Sequence, residues 1–147
     1  MKKELFMLPP FISVILKKEN QILLVKRKKA KYYSGYFVFP GGKVDQGETV
    51  FSAAKRELEE ELGISLDVQS SRIIHVCHFK RENGFEGLDF YVLATEWRGE
   101  IKNLEPEKHE EIKWFEINNL PENIADNHKN GLDQINKNIF YSEMGWE

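Results

Sequence analysis

A single cysteine, Cys77, stands in the whole chain, so no intrachain disulfide can staple the fold and stability must come from a buried core. A lone thiol between His75 and His78 reads as a strand residue and fits a reducing, cytoplasmic setting. Long apolar runs are missing as well. No stretch approaches the ~20 residues of a membrane span. The N-terminal MKKELFMLPPF lacks both the apolar run of roughly 7 to 15 residues and the small-residue cleavage site of a signal peptide. Nor is there a surplus of positive charge. A formal net charge of -3 argues against a nucleic-acid polymer as partner, because duplex affinity rests on neutralising phosphates with Lys and Arg. With no repeat, low-complexity tract or linker, these absences leave one soluble domain over residues 1–147, monomeric or homodimeric, with no membrane partner and a small anionic ligand still open.

What is present is a succession of apolar segments punctuated by turns. Phe11 to Leu16 and Gln21 to Val25, separated by the polar KKEN, read as an antiparallel hairpin. A short aromatic strand, Tyr36 to Phe39, is stopped by Pro40 and by Gly41 and Gly42, where the chain is expected to turn sharply. From Thr49 to Leu62, Phe51, Ala54, Leu58 and Leu62 recur at spacings of three and four, and Gly63 supplies a stop, which predicts an amphipathic helix. Ile73 to Phe79 and Leu88 to Ala94 form a second expected hairpin around Asn83-Gly84. Ile112 to Ile117 reads as a further strand. Leu132, Ile135 and Ile139 predict a last helix over about Asn127 to Phe140 that covers the sheet. This order fits an α/β fold with a mixed sheet flanked by helices.

The chemistry concentrates on the first helix. Glu57, Glu60 and Glu61 lie at i, i+3 and i+4 on one face, where like charges each destabilise a helix by about 0.2 to 0.5 kcal/mol unless something neutralises them. Carboxylates are hard ligands that suit Mg2+, with Mn2+ as a second choice, while Lys55–Glu59 and Arg56–Glu60 ion pairs on a solvated face are the plainer reading. Gly41 and Gly42 let the backbone approach a cation or a phosphate, and Gly47 allows a second bend before the helix.

Gly42, then Glu48, then Arg56-Glu57-Leu58-Glu59-Glu60-Glu61-Leu62-Gly63-Ile64 resembles the complete Nudix box, nine fixed positions over 23 residues. Gly35 to Pro40 is similar to the strand that enters the box, with Phe37 where many members have Trp. The resemblance implies a Nudix α/β/α sandwich that hydrolyses a nucleoside diphosphate linked to another moiety with a divalent metal. It implies that Glu57, Glu60 and Glu61 bind the metal, with the Gly41 carbonyl as a further ligand. Arg56 would orient Glu57, and Glu48 would act from the outer shell. The base is expected to be Glu60 or Glu57, which chemistry alone does not separate, and the resemblance also allows a base from a later loop. Glu110 or Glu111 is the candidate for a downstream acid that completes the metal site, with Glu111 preferred, and His109 beside them reads as a surface residue.

For the substrate, the basic run Lys26 to Lys31 can steer a polyphosphate, and Arg27, with its planar fork, is its foremost member. Phe37, Phe39, Tyr91 and Trp114 are the aromatics available to a base pocket, each also a natural core residue, and Asn127 is a candidate for the base edge. The segment LEPEKHEEIKWFEINNLPENI resembles MutT-like members. The resemblance thereby favours cleavage of a nucleoside triphosphate to monophosphate and pyrophosphate. The alternatives are a nucleotide-sugar or ADP-ribose pyrophosphatase, or a silent nucleotide-binding module of the same fold.

Overall fold

Two helices sit on opposite faces of one bent sheet in the computed structural model, which describes residues 3–147. The strands are β1 (Pro10–Lys18), β2 (Gln21–Arg27), β3 (Phe37–Val38), β4 (Gly41–Lys43), β5 (Ser65–Leu66), β6 (Arg72–Lys80), β7 (Glu86–Ala94), β8 (Trp97–Arg98), β9 (His109–Glu116) and β10 (Tyr141–Met144). The helices are α1 (Val50–Leu62) and α2 (Asp126–Asn136). Eight strands form the main sheet in the order β10-β6-β7-β1-β2-β3, with β4 also paired to β1 and β9 to β2, while β5 and β8 make a separate ribbon.

β1 and β2 pair antiparallel only beside their turn, at Lys17↔Ile22 and Lys18↔Gln21. Below that point β1 runs parallel to β7, from Pro10↔Leu88 to Leu16↔Ala94. The reason is visible in the sequence: Ile12 to Leu16 is buried without a break, so the strand needs cover on both faces. Ile12, Val14 and Leu16 face α1, packing with Leu58 and Leu62, whereas Ile15 faces α2 with Tyr91 and Leu132. The result is the expected α/β/α sandwich around a mixed sheet.

α1 forms as its periodicity predicts. Thr49 and Ser52 exchange side-chain and backbone hydrogen bonds at its start, and Gly63, at φ 70°, closes its end with N–H bonds to Glu59 and Leu58. Two expectations need correction. The Gly41–Gly42 segment is not only a turn: it forms β4 on β1, through Phe11↔Lys43, Ile12↔Gly42 and Ser13↔Gly41. The last helix also ends at Asn136, because Asn138 takes the left-handed conformation and the Ile139 N–H returns to the Gln134 carbonyl. The chain then runs as β10 parallel to β6, from Tyr141↔Val76 to Met144↔Phe79, and Ile139 and Phe140 leave the helical stripe for solvent.

Candidate active site

Arg56, on the second turn of α1, is the hub of the site. Its Nε and one Nη reach both oxygens of Glu48 at 2.7 and 2.9 Å, and the same Nη donates to the Lys43 carbonyl at 3.0 Å. The other Nη donates to Glu57 Oε1 at 2.9 Å and reaches Glu60 Oε2 at 3.4 Å. The fork therefore ties the loop after β4 to the helix and sets the Glu57 carboxylate in place. That fork holds the Glu48 carboxyl down at about 2 and pushes the guanidinium further up. Asp45, which the sequence reading passed over, adds a contact at 3.4 Å to Arg56 and donates its N–H to Glu48.

The three helix acids do not share one environment. Glu60 is half-exposed, Glu57 lies against Gly42, and Glu61 is buried at 6% exposure. A Cβ at Gly42 would stand 2.5 Å from Glu57 Oε1, so only glycine leaves room for that carboxylate. The Gly41 N–H donates to Glu61 Oε2 at 3.0 Å; the glycine turn thus meets the acid through its amide. Desolvation raises the Glu57 carboxyl above its ordinary range. It raises Glu61 much further, with added repulsion from Glu57 and Glu105.

The acid that joins them from downstream is Glu105, not Glu111. Donor atoms of Glu61, Glu105 and His109 lie within 4.8 Å of one another. Asn103 shapes this approach: its side chain accepts the Glu105 N–H and donates to the His109 carbonyl. Glu111 sits opposite Lys26 in the β2–β9 ladder, one residue out of phase with Val25 and Ile112, so strand alternation turns it to the other face. Glu110 pairs with Lys26 at 3.8 Å. His109 is buried at 7% exposure and not a surface residue. Desolvation lowers its pKa, so its 3.7 Å approach to Glu61 is not an ion pair. Its Nδ1 is buried without an acceptor, which favours the tautomer with the proton on Nε2, directed at Glu61. Metal-bound histidines normally donate their second N–H to an acceptor, so the fitting donor set for a divalent cation is the carboxylates, with the imidazole as a neighbouring N–H donor. Clustered carboxylates of this kind, desolvated and mutually repelling, fit Mg2+ or Mn2+.

Glu57, Glu61, Glu105 and His109 line a cavity of about 1140 Å³. Arg27 lines it too, half-buried, and feels the Glu61 charge. Of the aromatics weighed for a base pocket, Phe39 and Tyr91 line the cavity and pack edge-to-face, with centroids 6.1 Å apart. Phe37 and Trp114 belong to the cores instead: Phe37 packs on Phe115 at 5.0 Å, and Trp114 stacks on Trp97 at 6.1 Å and 23°. Asn127 lines the cavity with its buried Oδ1 unpartnered. At the floor lies a cluster that sequence reading missed: Ser13, Asp89 and His128, from β1, β7 and α2. No local spacing announces it, since its members are 76 and 115 residues apart from Ser13.

An acidic helix locked to a glycine turn, in a mixed sheet between two helices, frames the site. The NUDIX domain family pattern matches residues 7–135, and the chain belongs to that family as a Nudix hydrolase. It is 35% identical over 131 residues to an ADP-ribose pyrophosphatase of Methanocaldococcus jannaschii, covering 88% of this chain and 75% of the relative. It is 31% identical over 132 residues to an 8-oxo-dGTP diphosphatase of Buchnera aphidicola, covering 88% and 94%. A crystal structure of a MutT NUDIX hydrolase from Burkholderia pseudomallei matches with a TM-score of 0.80 and 33% identity, over 88% of this chain and 98% of that one. No helix among the described residues is long and apolar enough to cross a membrane.

Proposed function

We propose that this Nudix hydrolase cleaves a nucleoside triphosphate to the monophosphate and pyrophosphate with a divalent cation. The observation that carries the reading is one cavity lined both by Glu57, Glu61, Glu105 and Arg27 and by Phe39, Tyr91 and Asn127, whose buried Oδ1 has no partner. Glu57, Glu61 and Glu105 hold the cation, with Glu60 at the solvent side. Bound there, Mg2+ or Mn2+ supplies neutralising charge for the diphosphate. Arg27 grips a phosphate, and His109 Nε2 stands 3.7 Å from Glu61. Glu57, which lines the cavity where Glu60 does not, accepts a proton from the attacking water, whose oxygen bonds to phosphorus as the bridging P–O bond breaks. Arg56 keeps that carboxylate aimed. Relatives named as 8-oxo-dGTP diphosphatases support a triphosphate substrate.

The second reading is an ADP-ribose or nucleotide-sugar pyrophosphatase. It is favoured by the Methanocaldococcus jannaschii relative and by a cavity larger than the roughly 300 to 1,000 Å³ of ordinary ligand sites. Product release from a panel of nucleoside triphosphates, ADP-ribose and nucleotide sugars, with and without Mg2+, tests both. Turnover of triphosphates alone supports the first, turnover of ADP-ribose alone the second. Nucleotide binding with no turnover of any substrate would leave a silent module.

A further inference from the structure

One wall of the cavity is made by the end of β10 and the residue after it. Met144 and Gly145 line it, beside Phe79 and Lys80 at the end of β6. Met144 still pairs with Phe79, and Gly145 then crosses β6 so closely that a Cβ on it would collide with the Lys80 carbonyl; its φ of 86° is itself a glycine conformation. The Trp146 side chain reaches back along the strand. Its indole N–H donates to the His78 carbonyl at 3.1 Å, its ring meets the His78 ring edge-on with centroids 5.0 Å apart, and Lys80 Nζ stands 5.1 Å from its centroid. The His78 ring is braced in turn, since its Nε2 donates to Glu86 Oε1 on β7 at 3.2 Å. Cys77 and Phe79 line the cavity and His78 between them does not, so by strand alternation Trp146 grips β6 from the outer face. Trp146 is 42% exposed and adds little to the core; what it holds is the chain at the cavity wall.

We infer that Trp146 is a positioning residue for the substrate: by clipping the chain to the outer face of β6 it holds Met144 and Gly145 as a fixed cavity wall, so that affinity for the nucleotide, and not the chemical step, depends on it. This inference rests on the nucleotide-hydrolase reading and adds to it a residue that touches neither the substrate nor the acids. Topology separates the wall from the chemistry. β10 lies at the edge of the sheet, with β6 and β7 between it and β1, whereas the glycine turn that meets Glu57 and Glu61 is paired to β1. Without the clip the substrate has to order the wall as it binds, and that cost falls on binding alone.

The test measures kcat, KM and melting temperature for the wild type, Trp146→Ala and Trp146→Phe with adenosine triphosphate, guanosine triphosphate and ADP-ribose in Mg2+. Trp146→Ala removes both the ring and the N–H. It is expected to raise KM by roughly 5- to 50-fold for the nucleotide that the wild type turns over best, with kcat held within about twofold. Trp146→Phe keeps a ring against His78 and Lys80, loses only the N–H, and should recover part of that loss. An unchanged KM in Trp146→Ala overturns the inference even if the melting temperature falls, and so does a fall in kcat with KM intact. Should Trp146→Ala not fold, Trp146→Phe is read in its place: a KM raised by roughly 2- to 10-fold, the range of one lost hydrogen bond, supports the inference, and an unchanged KM overturns it. Failure of the parent reading looks different, as a wild type that turns over none of the three nucleotides. The contrast is then read from their calorimetric binding, where a Kd raised in Trp146→Ala supports the inference, and an unchanged Kd, or no binding by the wild type, overturns it.

Discussion

The two helices that clasp the sheet are built by different rules. α1 is capped at both ends, by the Thr49–Ser52 pair and by Gly63, and its Arg56 and Glu57 are fixed by each other and by Glu48, close in sequence. α2 has Ala125 at its start with no side-chain cap, and its chemical groups, Asn127 and His128, take their meaning from strands far away in the chain. One helix carries acids whose placement is set largely by the short stretch of chain that enters it. The other is a surface whose role depends on what the sheet puts opposite it, which is how one reaction can be kept while the substrate changes.

The largest effect that separates them is on turnover. Glu57→Gln should lower kcat by about 10²- to 10⁴-fold, as expected for loss of a general base, with the fold retained. Glu60→Gln, at the half-exposed position, should cost less, and a larger loss in Glu60→Gln in phosphate-release assays would transfer the base to that residue. Glu61→Gln gives a second readout. Mg2+ should raise the melting temperature of the wild type, chelation should reverse this, and the buried, repelled carboxylate of Glu61 should make the variant indifferent to both.

Next in size is the core contrast. Leu58→Ala on α1, fully buried, should destabilise by about 2 to 5 kcal/mol, and Leu132→Ala on α2, at 7% exposure, should fall at the lower end of that range, both read from urea midpoints. Equal losses would show that the two faces are equally packed.

The floor cluster makes a pH prediction whose two halves oppose each other. Burial raises Asp89 from 3.8 to about 7, so between those values the native state keeps a proton that the unfolded chain has released, and stability falls as pH rises. Burial, helped by the Arg27 charge, lowers His128 from 6.5 to about 3; the native state then lacks a proton that the unfolded chain holds, and stability falls as pH drops. From about pH 4 to 6.5 these contributions cancel. Asp89→Asn removes one of them, so its stability relative to wild type should fall on acidification by at most about 1.4 kcal/mol per pH unit. Parallel curves for the two proteins would show that Asp89 does not titrate in this window.

The smallest effects concern the caps. Thr49→Ala should cost about 1 kcal/mol in thermal denaturation, while α2, which starts at the buried Ala125 with no side-chain cap, has no such bond to lose. If Thr49→Ala were silent, the difference between the helices would lie in packing alone.

The same contrast decided what could be read from sequence. The α1 half was legible because Gly42, Glu48, Arg56 and Glu57 lie within a short stretch of chain and their spacing carries the geometry. Glu105 and His109 were not, because a loop pinned by Asn103 delivers them, and loop paths leave no period. Glu111 is the preferred downstream acid by sequence, and the ladder turns it to the other face. Phe37 and Trp114 were as suitable for a base as Phe39 and Tyr91 by composition, and only pairing register separates core from cavity. α2 was overextended because Ile139 continues the helical spacing, while the left-handed turn at Asn138 that breaks it has no hydrophobic signature.

The Trp97–Trp114 stack carries a consequence for the optics of this protein. Two indoles nearly parallel at 6.1 Å couple their transitions, and this pair sits against the α1-side core, away from the substrate cavity. Trp146 lies apart from both, at the far edge of the sheet against His78. The near-ultraviolet dichroism of the pair therefore watches the scaffold beneath the acidic helix, and it will hold steady through substitutions that only retune the base pocket. A variant that loses selectivity with this band unchanged has been altered in recognition, and one that loses the band has been altered in the frame itself.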